Sequence, residues 1–142
     1  MESGLTEDGW IPVDPATFAT RFPDVYAVGD VTSAPVPRAG VIAEGEASTL
    51  ADVLIARITG GPPPAPYRGE MTCYIEMGEG TVGTVDANFL SGPAPTARFT
   101  PPSAEAADDK RRFAASRRDR WFGPGPSASR QTTRPAQVRG TP

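Results

Sequence analysis

The residues whose types and spacing could carry chemistry concentrate in one stretch. Val25-Tyr26-Ala27-Val28-Gly29-Asp30-Val31-Thr32 is followed after a short loop by Ala39-Gly40-Val41-Ile42-Ala43-Glu44-Gly45. A buried strand that delivers Gly-Asp at its C-terminal end, then a loop, then the start of a small-residue helix, matches the crevice where open parallel sheets hold nucleotide cofactors. Gly29 lets a ligand approach the backbone, and Asp30 can accept hydrogen bonds from a sugar or ribitol hydroxyl. The free N–H groups near Gly40 and Val41 sit at the positive end of a helix, which stabilises an anion. For a flavin, that anion would be the charge on the N1/C2 carbonyl edge of the reduced ring. The bland reading of Gly-Asp is an ordinary turn after a strand.

Two other groups invite a chemical reading. Cys73 is the single cysteine; between Thr72 and Tyr74 on an expected strand it is either a small buried hydrophobe or a reactive thiol. Glu44 and Glu46 stand two apart on the expected helix and point in different directions, so no joint chemistry is assigned to them.

Four elements must position these residues. Val25 to Val28 is a short apolar run after Phe22-Pro23-Asp24 and reads as a buried strand. From about Gly40 to Thr59, Leu50, Val53, Leu54 and Ile58 mark one helix face, and Ala43, Ala47 and Ala51 form a small-residue stripe. Gly60-Gly61 ends that helix and Pro62-Pro63-Pro64 forbids its continuation. Met71 to Met77 and Thr81 to Val85 read as a hairpin about Gly78-Glu79-Gly80. Ser103 to Phe122 reads as a helix behind Pro101-Pro102, with Ser103 as N-cap and Asp108 spaced for Arg111 and Arg112.

Composition sets bounds. The 142 residues include 15 Gly and 17 Pro against a hydrophobic fraction of 38%, so much of the chain is turn, linker or tail. The absence of His excludes His-ligated zinc, His-held haem and every Ser-His or Cys-His arrangement. One Cys forms no internal disulfide, and the acidic Met1-Glu2-Ser3-Gly4 start has no basic n-region, so a cytoplasmic protein is expected. No metal site is expected. The net charge of −3 hides an asymmetry: residues 1–97 hold 4 basic and 13 acidic side chains, whereas residues 98–142 hold 10 basic and 4 acidic.

Thr20-Arg21-Phe22-Pro23-Asp24-Val25-Tyr26-Ala27-Val28-Gly29-Asp30 resembles the second FAD-binding motif of the two-dinucleotide-fold flavoprotein oxidoreductases: a Thr, a short spacer, then Val-Tyr-Ala-x-Gly-Asp. Gly9-Trp10-Ile11-Pro12-Val13-Asp14 resembles the approach to that motif. Pro37-Arg38-Ala39-Gly40, Ala43-Glu44-Gly45-Glu46-Ala47, Thr72-Cys73-Tyr74 and Arg120-Trp121-Phe122-Gly123 are similar to the branch of sulfide:quinone oxidoreductases and flavocytochrome c sulfide dehydrogenases. The resemblance covers about residues 5–123. It implies an α/β fold, the C-terminal part of a Rossmann-like FAD/NAD(P) flavoprotein. Part of the FAD domain would occupy 1–61, a small α+β domain 62–122 and a disordered tail 123–142.

The same resemblance implies that Gly29 and Asp30 hold the FAD ribitol and that Arg38, Ala39, Gly40, Val41 and Ile42 lie along the flavin's pyrimidine edge. Arg38 stands where the family often has Lys, a planar fork in place of a point charge. Cys73 resembles one of two redox cysteines of the sulfide-oxidising members. The family's Gly-x-Gly-x-x-Gly pyrophosphate turn has one match in spacing, residues 78–83, which must be discounted because it heads into a hairpin and not a helix. Met1 is therefore expected to begin a portion of a longer enzyme, inactive alone. The whole would pass electrons from sulfide, a thiol or NAD(P)H through FAD to a quinone or other acceptor. A type II NADH dehydrogenase-like flavoprotein and a non-catalytic interaction module are the alternatives. The basic run Lys110-Arg111-Arg112 with Arg117, Arg118 and Arg120 reads first as a solvated or packing helix and second as a peripheral membrane contact through Phe113, Trp121 and Phe122. Nucleic acid is not an expected partner of an acidic chain.

Overall fold

A computed structural model describes residues 4–123. Apart from Gly123, the tail expected to be disordered lies outside the described residues. The architecture is a small mixed α/β fold: a three-stranded antiparallel sheet and two long helices, preceded by an irregular segment of turns. The chain divides into two compact units, one ending at Ala107 and the other beginning at Asp108.

Residues 4–39 are held by short hydrogen-bonded turns. A tight turn at Asp8 and Gly9, both at positive φ, joins Glu7 to Trp10 through reciprocal backbone bonds of 2.8 and 2.9 Å. The Val25–Val28 run, expected as a buried strand of a parallel sheet, is one arm of a minimal hairpin. Thr20 N–H donates to Val25 O, Ala27 N–H donates to Phe18 O, and the only strand-like pairing is the bridge of Ala19 with Tyr26. Val25 is exposed. The sequence pattern is that of a strand, but a strand needs neighbours on both edges to be buried, and among the described residues this one has a partner on one side. The parallel pairing that does occur is a single bridge between Ile11 and Thr32.

Helix α1 spans Gly40–Thr59 and ends at Gly60, whose left-handed φ of 69° terminates it as the Gly60-Gly61 pair predicts. Its buried residues are Ile42 and Glu46, one turn apart near the N-terminus. Ile42 packs with Ala34 and Val36 into the main core, to which Val13, Tyr67, Met71, Phe89 and Leu90 add half-buried surface. Removing a side chain of that size from water is worth about 1.5–3 kcal/mol. The expected core face at Leu50, Val53, Leu54 and Ile58 is only half-buried in its first three members, and Ile58 is 83% exposed. The core lies against the first turns of α1, so the heptad-like stripe farther along has no layer to bury it. Gly45 belongs to this packing: a Cβ there would lie 2.8 Å from the Tyr67 ring, so the glycine is what allows Tyr67 to cross α1.

Strands β1 (Glu70–Gly78), β2 (Thr81–Asn88) and β3 (Thr96–Ser103) form an antiparallel meander with β2 in the middle. The β1–β2 turn places Gly78, Glu79 and Gly80 all at positive φ, so residues 78–83 make a hairpin as expected. β3 was not legible in the sequence, because Pro101-Pro102 reads as a break. It tolerates them as an edge strand, with a bulge between Val82/Ser103 and Thr84/Thr100. Helix α2 spans Ala104–Phe122. Ser103 Oγ accepts the Ala106 N–H at 3.0 Å and so caps it. Ala106 and Ala107 pack with Val82 and Tyr74 into a second, smaller cluster.

In the unit beginning at Asp108, Arg111 pairs with Asp108 and Arg112 with Asp109. These exposed one-turn pairs support the helix by about 0.2–0.5 kcal/mol each. The Arg117 guanidinium lies 4.0 Å from the Phe113 ring centre, and Trp121 and Phe122 are exposed. No helix among the described residues is long and apolar enough to cross a membrane.

Candidate functional site

The site grows from one turn. Gly29–Val31 is a single 3₁₀ turn in which Gly29 adopts φ +78°, a region an L-residue enters only at a cost. Its carbonyl accepts both the Thr32 N–H and the Thr32 hydroxyl at 3.1 Å, with Thr32 fully buried. Its amide donates to the Glu46 carboxylate on α1 at 2.5 Å. A Cβ on Gly29 would touch the Cβ of Ala43 at 3.4 Å. The Gly29–Asp30 turn is thus set against the first turns of α1. Asp30 itself is exposed, at the first turn of the 3₁₀ segment.

The helix start is open. Ala39, at the N-cap position, supplies no side-chain hydrogen bond, and no acidic residue occupies the first turn of α1. Gly40 is exposed, with open space where a Cβ would stand. Val41 and Ala39 lean on the core, while Ile42 is 2% exposed and is buried within it. The Tyr67 hydroxyl donates to Ile42 O at 3.3 Å.

Arg38 is committed to the backbone. Its guanidinium donates to Val36 O at 2.9 Å, Thr32 O at 3.0 Å and Ala34 O at 3.4 Å, and its Cζ lies over the Trp10 ring, 4.2 Å from the centre. The planar fork that distinguishes Arg from Lys is what this arrangement uses: one group closes the loop from Thr32 to Val36 and stacks on an indole. Cys73 lies elsewhere in the fold, half-buried in the middle of β1 and opposite Val85. Among the described residues no cluster of three or more His, Cys, Asp or Glu could hold a metal ion.

Two residues of the site escaped the sequence reading. Glu46 is 1% exposed. Burial holds its carboxyl above the ordinary value of 4.5, and the charge of Asp30 adds to this; the Gly29 amide and the Arg38 guanidinium pull the other way and lose. Its signal was the three-residue spacing from Ala43, which puts both on the helix face that meets Gly29. Tyr67 is pushed up to about 12, by burial first and then by the charges of Glu46 and Glu70. Its signal was a lone aromatic between a proline run and Gly69.

Glu46 gives a sign to the pH dependence of stability. Because its native value is raised, the folded chain holds this proton more tightly than the unfolded chain does, so its contribution is fully present below 4.5 and is lost as pH rises through the native value. Glu46→Gln keeps an acceptor for Gly29 and removes the buried charge. Urea midpoints of the two proteins are expected to converge at acid pH and to separate towards neutrality, with Glu46→Gln the more stable; the opposite order at pH 7 would show that the charged hydrogen bond outweighs its desolvation.

Scanned against protein-family models the chain matches none, and a search of curated proteins finds no match.

Proposed function

We propose that residues 5–123 form the C-terminal part of an FAD-dependent oxidoreductase similar to the sulfide:quinone oxidoreductases. The partition at 1–61 and 62–122 and the Rossmann-like parent fold belong to that proposal. The observation that carries it is the juxtaposition of the Gly29–Asp30 turn with the uncapped start of α1. The turn meets α1 at Ala43 and Glu46, the helix start has no side-chain cap, and open space lies where a Cβ of Gly40 would stand.

These residues fit the flavin and ribitol half of the cofactor. Asp30 would hold ribitol hydroxyls, and the backbone at Ala39, Gly40, Val41 and Ile42 would donate to the pyrimidine edge. The bound cofactor would supply two-electron transfer from sulfide, a thiol or reduced nicotinamide to a quinone or other acceptor. Arg38 serves the site indirectly, by fixing the loop between Asp30 and α1. The type II NADH dehydrogenase-like reading stands second: it needs no thiol, and Cys73 lies half-buried in the middle of β1. Exposed Trp121 and Phe122, with Phe113, remain the surface proposed for a lipid-borne acceptor.

The test is a titration of FAD with the purified chain, followed by quenching of flavin fluorescence. Asp30→Ala is expected to raise the dissociation constant about tenfold, since losing a hydrogen-bonding partner to a ligand costs roughly 1–3 kcal/mol. Equal quenching curves for the wild-type chain and Asp30→Ala would remove Asp30 from the site.

A further inference from the structure

We propose that Glu46 is a positioning residue for the Gly29–Asp30 turn: from α1 it captures the Gly29 amide at 2.5 Å and so sets the direction in which Asp30 is presented. That Asp30 meets a cofactor polyol rests on the reading above, whereas the anchoring does not. The argument is one of connectivity. Among the described residues no side-chain hydrogen bond fixes where Asp30 points, so the backbone on either side of it does so. Before it, the Gly29 amide is held by Glu46; after it, Thr32 closes onto the Gly29 carbonyl through both its amide and its hydroxyl. Thr32 O is held in turn by Arg38, and Arg38 rests on Trp10. The buried carboxylate is thus one end of a hydrogen-bonded chain that encloses the exposed one.

An apolar residue at 46 would leave the half-buried Gly29 N–H without its acceptor. A glycine at φ +78° has no side chain to hold it, so the amide bond is what restrains it. The charged and titratable groups facing Glu46 are Arg38 and Asp30 from the loop and Tyr67 from the segment before β1.

The readout is the Gly29 amide resonance in the ¹⁵N-labelled full chain, measured for the wild-type chain, Glu46→Gln and Glu46→Ala from below the ordinary carboxyl value of 4.5 upwards, since burial raises this carboxyl. In the wild-type chain the Gly29 proton is expected far downfield and to titrate with a single carboxyl. Glu46→Gln should keep the shift near its place and abolish the titration, and Glu46→Ala should lose the shift and speed solvent exchange. FAD affinity should fall about tenfold in Glu46→Ala and recover in Glu46→Gln. A Gly29 resonance indifferent to pH and to both substitutions overturns the proposal, as does unchanged FAD affinity in Glu46→Ala. If Glu46→Ala does not fold, the wild-type titration and Glu46→Gln decide. If the wild-type chain binds no FAD, the cofactor reading fails and the resonance alone decides the positioning.

Discussion

Replacing Phe18 by Ala is expected to lower the unfolding free energy by about 3–5 kcal/mol, the range for truncating a fully buried aromatic ring. Phe18 is the largest fully buried side chain, 1% exposed, with its ring centre 6.0 Å from that of Tyr67. Tyr67 in turn crosses Gly45 and bonds Ile42 O, so the cavity would open beside the start of α1, where the candidate site lies. A core of so few buried residues has little with which to collapse around the void. The backbone adds a second expectation. Phe18 sits at φ +56°, where any residue with a Cβ is strained. Gly is ordinarily about 0.5–1 kcal/mol worse than Ala, but here Phe18→Gly should be no less stable than Phe18→Ala. Urea denaturation of both variants checks the pair: a midpoint for Phe18→Gly well below that for Phe18→Ala would show that the left-handed backbone carries no cost.

Arg38→Ala is the second large effect, expected at about 3 kcal/mol, because it takes a charged donor away from three carbonyls of a loop in which Thr32, Ala34 and Val36 are themselves buried. Arg38→Lys should recover only a minor part, since an ammonium satisfies one of those oxygens and cannot lie flat on Trp10. The two variants separate roles. If Arg38 acts through the loop, FAD affinity follows stability and is poor in both; if its charge touched the cofactor directly, Lys would restore affinity without restoring stability. A thermal melt and a flavin titration on the same samples read both quantities.

The parts of the fold that were legible in the sequence are those set by local rules. Gly60-Gly61 followed by prolines ended α1 where expected, Gly78-Glu79-Gly80 made the hairpin, and Ser103 capped α2. What was misread depended on neighbours. Val25–Val28 has the composition of a buried strand and, among the described residues, lacks the second edge that would bury it, and the apolar stripe of α1 is half-buried as far as Leu54 and ends in exposed Ile58. β3 went unseen because two prolines exclude a central strand and leave an edge one possible, a distinction that topology makes. At the site, the types and order of Gly29, Asp30 and Gly40 were readable. The buried state of Glu46 was not, because a glutamate on a helix is by default solvated. The Gly29 amide in its left-handed turn accounts for a hydrogen-bond acceptor at that buried position.

The consecutive prolines of β3 have a consequence for how this sheet meets other chains. A fourth strand seeking to extend the meander beyond β3 would find no amide protons at Pro101 and Pro102 and a bulged backbone beside them, so recruitment along that border stops short. At the opposite border β1 carries exposed Glu70, paired with Arg68, and exposed Glu76, polar side chains that an added apolar strand would have to desolvate. These two borders flank a three-stranded sheet that shows Ile75, Met77 and Phe99 to solvent, the kind of apolar surface on which unguarded edges aggregate.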